Sequence, residues 1–227
     1  MLIGVFAHPD DEAFGPSGTL LKEVKDGTEL HLICATRGEA GVNPDGHYDL
    51  GAARQAEWQT SCKLLGATTT LQLNYPDGGI GNRLYLEIAD KIKAQVKTIL
   101  ANHGEPVDLQ FMTFEPGGVT GHLDHIAISL ITTFVYEKLR GRLPKPVESI
   151  GLRYFCLSAA SVPNANTEWL YMPAGRPESQ IHEKIDVSDI LTQKLAVMEA
   201  HHSQRNDAES FRRLLGDGLK TECFYYG

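Results

Sequence analysis

The sequence predicts an α/β fold with a mainly parallel sheet. Two observations carry that expectation. Short apolar runs alternate with segments of helical period four times before residue 140, the pattern of βαβ units. The chain has 227 residues, 42% hydrophobic and 22% charged, enough to bury one sizeable core without disulfide or metal staples. A single domain over 1–227 is expected, with 145–227 as a candidate smaller lobe.

Residues 2–7 form an apolar run, the signature of a strand buried on both faces. A helix over 12–26 follows, carrying Phe14, Leu20, Leu21 and Val24. Asp26 and Gly27 stop it, while Gly15, Pro16 and Gly18 weaken its start. A second strand spans 28–35, with Leu30, Leu32, Ile33 and Cys34. The polar stretch from Thr36 to Leu50 has the length of a substrate rim or a plain connection. A helix over 51–65 ends at Gly66. A third strand at 68–73 runs into a turn cluster at 74–79. Leu84, Ile88, Ile92, Val96, Ile99 and Leu100 give 84–101 a helical period. Next come a strand at 107–113, a Gly-rich loop at 114–121 and a helix at 122–140. Strands are expected at 149–158 and 167–172, and a helix at 188–202 with Leu191, Leu195 and Met198. The last twenty-five residues are polar and carry no clear pattern. These elements suit a three-layer, Rossmann-like arrangement with a small C-terminal extension.

Composition excludes several roles. The 21 basic and 29 acidic side chains leave a net charge of −8. That balance argues against nucleic acid as a partner, because phosphate binding needs clustered Lys and Arg. No apolar run is long enough for a transmembrane anchor. The first residues lack the basic region of a secretory leader. Cys34, Cys62, Cys156 and Cys223 are too far apart for a C-x-x-C motif and read as buried reduced thiols of a cytoplasmic protein. No G-x-G-x-x-G follows the first strand, so dinucleotide binding has no fingerprint.

Chemistry concentrates in two places. Residues 7–12 hold His8, Asp10, Asp11 and Glu12 directly after the first predicted strand, where open α/β sheets bind ligands. Metal coordination would relieve the cost of so many ionisable groups beside a core strand. Helix capping explains one aspartate and leaves His8 and the density unexplained. The second place is 121–125, where His122 and His125 flank Asp124 at a predicted helix start. Asp124 is available to fix an imidazole tautomer. His8, Asp11 and one histidine of the second cluster make a two-nitrogen, one-oxygen set with an open position, the catalytic zinc pattern. Asp10 is then free to act as general base. The same set also serves non-haem iron enzymes, but Asp10 has no role there. A non-catalytic sugar-binding protein is the other alternative, against which every proposed position holds a competent residue.

These two motifs resemble the LmbE/PIG-L family of zinc-dependent N-acetylglucosaminide deacetylases. The resemblance extends to Arg54–Glu57 with Leu64–Gly66, to Leu73–Asp77, and to Lys194 with His201–Gln204. It implies removal of an acetyl group from an N-acetylated amino sugar by zinc-activated water, with Fe2+ or another divalent ion as alternative metals. His8, Asp11 and His125 would bind the metal, and Asp10 would be the base. His122, tuned by Asp124, would be the charged partner of the oxyanion or the leaving amine. Arg54 and Asp77 would hold sugar hydroxyls. Some relatives carry a tyrosine where this chain has Thr120, which still offers a hydroxyl to the substrate. His201 would close the site from its own or a neighbouring subunit, so the resemblance admits a homo-oligomer. Trp58 and Tyr75 read as packing residues able to stack on a sugar face.

Overall fold

The structure, a computed structural model, describes residues 1–101, 103–162 and 174–227. Five parallel strands run in the order β3 (Thr69–Tyr75), β2 (Leu30–Thr36), β1 (Leu2–Phe6), β4 (Val107–Phe114) and β5 (Val147–Cys156). Beyond β5 the sheet turns antiparallel through β7 (Thr221–Tyr226) and ends at β6 (Glu183–Asp186). Strands from both parts of the chain therefore share one seven-stranded sheet. β1 and β2 are buried along their whole length, as their unbroken apolar runs require.

Period-two alternation splits β1 between the two faces. Ile3 and Val5 pack against α4 (Tyr85–Leu100) and α6 (Leu123–Arg140), through residues such as Ile88, Ile92 and Ile131. Leu2 and Phe6 face Leu20 of α2 (Ser17–Lys25), Trp58 of α3 (Leu50–Leu64) and Val197 of α7 (Leu191–Glu199). Ala208 of α8 (Arg205–Leu215) joins the same layer. The result is the three-layer α/β architecture expected. Among the described residues no helix is long and apolar enough to cross a membrane. All four cysteines are buried free thiols.

The helix expected over 12–26 is two helices. α1 (Asp11–Phe14) stops at Gly15, and α2 starts after Pro16, whose ring disfavours helical backbone in the residue before it. The first turn of α2 has orphan N–H groups. Those of Gly18 and Thr19 donate to Glu222 of β7 at 2.8 and 2.7 Å. Lys194 of α7 pairs with Glu222 and donates to Gly15 O at 2.9 Å, and both charged groups are buried. The helix expected at 188–202 is α7 flanked by 3-10 turns at Ser188–Ile190 and His202–Gln204. α8 and β7 lie in the last twenty-five residues, where the sequence showed no clear pattern, and β6 lies in a stretch for which no element was expected. The strand expected at 167–172 falls outside the described residues.

This topology places the chemistry. β1 and β4 are neighbours, and connections leave them toward opposite sides of the sheet, so a crevice opens beyond their carboxyl ends. Residues 7–12 follow β1. The second motif follows β4, through the short helix α5 (Gly118–Gly121).

Candidate metal centre

The two distant motifs meet in that crevice. His8 Nδ1 lies 3.0 Å from His125 Nε2, and Asp11 Oδ1 lies 3.1 Å from the same Nε2. The other oxygen of Asp11 is occupied by the backbone N–H groups of Ala7 and His8, at 3.0 and 2.8 Å.

Hydrogen-bond partners assign the tautomers. His125 Nδ1 faces Gly118 O at 3.0 Å, and a carbonyl can only accept, so the proton sits on Nδ1. His8 Nε2 faces Asp77 Oδ1 at 3.0 Å and Asp124 Oδ2 at 3.3 Å, so its proton sits on Nε2. The three atoms His8 Nδ1, His125 Nε2 and Asp11 Oδ1 then converge, and a proton that His8 carries on Nδ1 is the one a bound cation would displace. A divalent cation satisfies such a set, and two imidazoles with one carboxylate are ligands that zinc accepts. The carboxylates on the far side of His8 orient the ring and raise its basicity, the usual support for a ligating histidine. Burial pushes the His8 imidazole down, but hydrogen bonds to Asp124 and Asp77 and the charge of Asp11 outweigh it and raise it to about 10. Burial would likewise raise Asp11, yet His125 and His8 hold it well below the usual carboxylate range.

His122 sits at the same opening, half-buried, with its ring centroid 4.6 Å from that of His8. His8, His122 and His125 each bring one nitrogen within 4.8 Å of the others. As N-cap of α6, His122 accepts the Asp124 N–H on Nδ1 at 3.2 Å. The ring proton is therefore on Nε2. The family resemblance implied a charged His122. In the structure burial, and then the neighbouring His8 and His125, hold it below its ordinary value.

Asp10 stands beside the centre. Its Oδ2 accepts from Arg54 Nη2 at 2.7 Å. Burial raises its carboxyl to about 6 against the opposing pull of Arg54.

Several expected roles change. Arg54 is buried, and its donors go to Asp10, to Pro9 O at 2.6 Å and to Gly38 O at 2.8 Å. It organises the base from behind, while its buried Nε has no hydrogen-bond partner among the described residues. Gly38 is required there, because a Cβ at its φ of +69° would meet the guanidinium at 2.5 Å. The Asp124 carboxylate acts on His122 through its charge, which partly opposes the lowering by burial, and not through a hydrogen bond. It accepts from Gly78 N, Ile80 N and His8 Nε2, because the turn at 76–80 folds over the start of α6. Asp77 divides its oxygens between His8 and Ala40 N, at 3.1 Å for the latter. The Thr120 hydroxyl lies behind the metal centre, 3.4 Å from His125 Nδ1. His201 is fully buried, with Nε2 at 2.8 Å from Glu12 Oε1 of its own chain, and does not line the opening. Trp58 and Tyr75 are core residues.

Sequence reasoning missed the groups that hold these side chains in place: Gly118 O, the Gly78 and Ile80 N–H groups, Ser61 and the carboxylate of Glu12. Backbone groups leave no trace in residue types. Glu12 lay within the motif, and its density of charge was the available signal. The Arg54–Glu57 and His201–Gln204 segments prove to be partners, since Glu57 accepts from Ser203 N and Oγ, both at 2.7 Å.

A family model described as PIG-L: GlcNAc-PI de-N-acetylase matches residues 3–136. A 1D-myo-inositol 2-acetamido-2-deoxy-alpha-D-glucopyranoside deacetylase of Mycobacterium sp. (strain KMS) is 28% identical over 226 residues, covering 89% of this chain and 73% of that protein. Among solved structures, N,N'-diacetylchitobiose deacetylase from Pyrococcus horikoshii superposes with a TM-score of 0.69 at 18% identity, covering 100% of this chain and 83% of that one. The 4-carboxy-2-hydroxymuconate hydratase GalB from Pseudomonas putida KT2440 shares the fold at a TM-score of 0.68 and 16% identity, covering 99% and 95% of the two chains.

Proposed function

The chain belongs to the PIG-L family, and from that premise we propose that it is a zinc-dependent hydrolase that removes the acetyl group from an N-acetylated amino sugar. The observation that carries this reading is the meeting of His8 Nδ1, His125 Nε2 and Asp11 Oδ1, the first and last within hydrogen-bond distance of His125 Nε2 at 3.0 and 3.1 Å. An ion held there would supply Lewis acidity and an acidified water. Asp10, raised to about 6, is matched to taking a proton near neutral pH. Arg54 anchors its Oδ2, which leaves Oδ1 to face the water. His122, protonated on Nε2, donates a hydrogen bond to the acetyl oxygen as negative charge develops there. The proton taken by Asp10 then passes to the departing nitrogen, giving acetate and the free amine.

The shared sheet supports reading 1–227 as one domain, and the four buried thiols support a reducing, cytoplasmic setting. Acetate release over a panel of N-acetylated sugars, with and without a chelator, is the test. Zinc-loaded protein should release acetate, and chelation should abolish it. Absence of release across the panel would overturn the reading. Product identity is the deciding readout, because the fold also carries a hydratase.

A further inference from the structure

Glu12 is an ionisable member of the 7–12 motif that the chemistry above does not use, and it is fully buried. A carboxylate in such a place is costly unless its lone pairs are met. Oε1 accepts from Ser61 Oγ at 2.6 Å and from His201 Nε2 at 2.8 Å. Oε2 accepts the backbone N–H of Asp10 at 3.2 Å. Ser61 belongs to α3, and His201 follows α7. Two separate elements thus fix one oxygen, and the other reaches the backbone of the proposed base.

That backbone is unusual. Asp10 has φ 119° and ψ −24°, a left-handed conformation that a residue with a Cβ rarely adopts. Strain of this kind persists only where the surroundings over-determine it. At Asp10 they act from two sides. Arg54 grips the side chain and the preceding carbonyl, while Glu12 holds the N–H. Without Glu12 the N–H has no acceptor, and the residue is free to relax toward right-handed backbone. Its carboxylate then swings away from the crevice.

We propose that Glu12, fixed by Ser61 and His201, is a positioning residue that holds Asp10 in its strained backbone and so aims the base at the metal centre. The proposal rests on the reading of Asp10 as general base. It also assigns His201 a task at a distance from the substrate: the C-terminal part of the chain steadies the base through Glu12.

The test uses zinc-loaded full-length protein. Glu12→Met keeps the length of the side chain and removes its oxygens. It should lower kcat on the order of 100-fold, the effect of a misplaced catalytic group, with KM and zinc content as in the wild type. Glu12→Gln retains one oxygen for the Asp10 N–H and should recover most of that loss. Added to Asp10→Asn, Glu12→Met should cause no further loss, whereas a merely structural role would add its full effect again. Should Glu12→Met fail to fold, Ser61→Ala is the milder probe and should lower kcat with KM unchanged. Wild-type kcat in the variant that folds, or full additivity with Asp10→Asn, overturns the proposal. A crystal structure of the variant gives a readout independent of turnover. Residue 10 should leave the left-handed region, and its persistence near +119° would also overturn the proposal. Failure of wild-type protein to release acetate counts against the deacetylase reading, while the backbone of residue 10 still decides the role of Glu12.

Discussion

The front and the back of the 7–12 motif both gather charged groups and behave in opposite ways. At the front, His8 and Asp11 reach across to His125 and turn their ligand atoms toward one another. At the back, Glu12 and Arg54 have their charges met by Asp10, Ser61, His201 and backbone carbonyls. Asp10 stands at the boundary, with its carboxylate toward the centre and its N–H toward Glu12. The contrast teaches that a dense charged motif after a core strand is half chemistry and half scaffold. Satisfaction of lone pairs tells the two halves apart better than residue type does.

The contrast can be broken most directly at the front. His125→Ala removes one converging nitrogen, and metal analysis should find the ion lost and turnover at background. Retention of a full equivalent of zinc would show that the front is not the metal centre. Asp10→Asn keeps an acceptor for Arg54 and removes the base. Zinc should stay, and kcat should fall on the order of 10²–10⁴-fold, the usual contribution of general acid–base catalysis. His122→Ala should lower kcat on the order of 10²–10³-fold, as loss of one oxyanion donor does, with zinc content unchanged. Asp124→Asn leaves His8 with one anionic partner, Asp77, and tests the support behind the metal ligand. Chelator competition should show affinity weaker by about 10–100-fold, while kcat at saturating zinc changes least in the series.

Much of the front was legible in the sequence. Ionisable residues after two predicted strands, combined with the rule that open sheets bind ligands at strand ends, were enough to bring the two motifs together, while the choice of His125 over His122 came from the family resemblance. The back was not legible, for a physical reason. A guanidinium suits a sugar hydroxyl, a carboxylate or a carbonyl equally well, so the residue type of Arg54 does not reveal which it meets. The same holds for Asp124, whose partners are backbone N–H groups of a turn remote in sequence. In the fold, the long apolar runs of β1 and β2 declared themselves. β7 did not, because Glu222 interrupts its apolar pattern. That residue points inward to α2 and Lys194, and its charge looks like solvent exposure until the pair is seen.

Glu222 makes the start of α2 depend on residues far along the chain. It caps the N–H of Gly18 from 204 residues away, so that cap closes only once β7 has joined the sheet. Contacts of such long range are slow to form. The segment that follows the motif at 7–12 is therefore capped only late in folding.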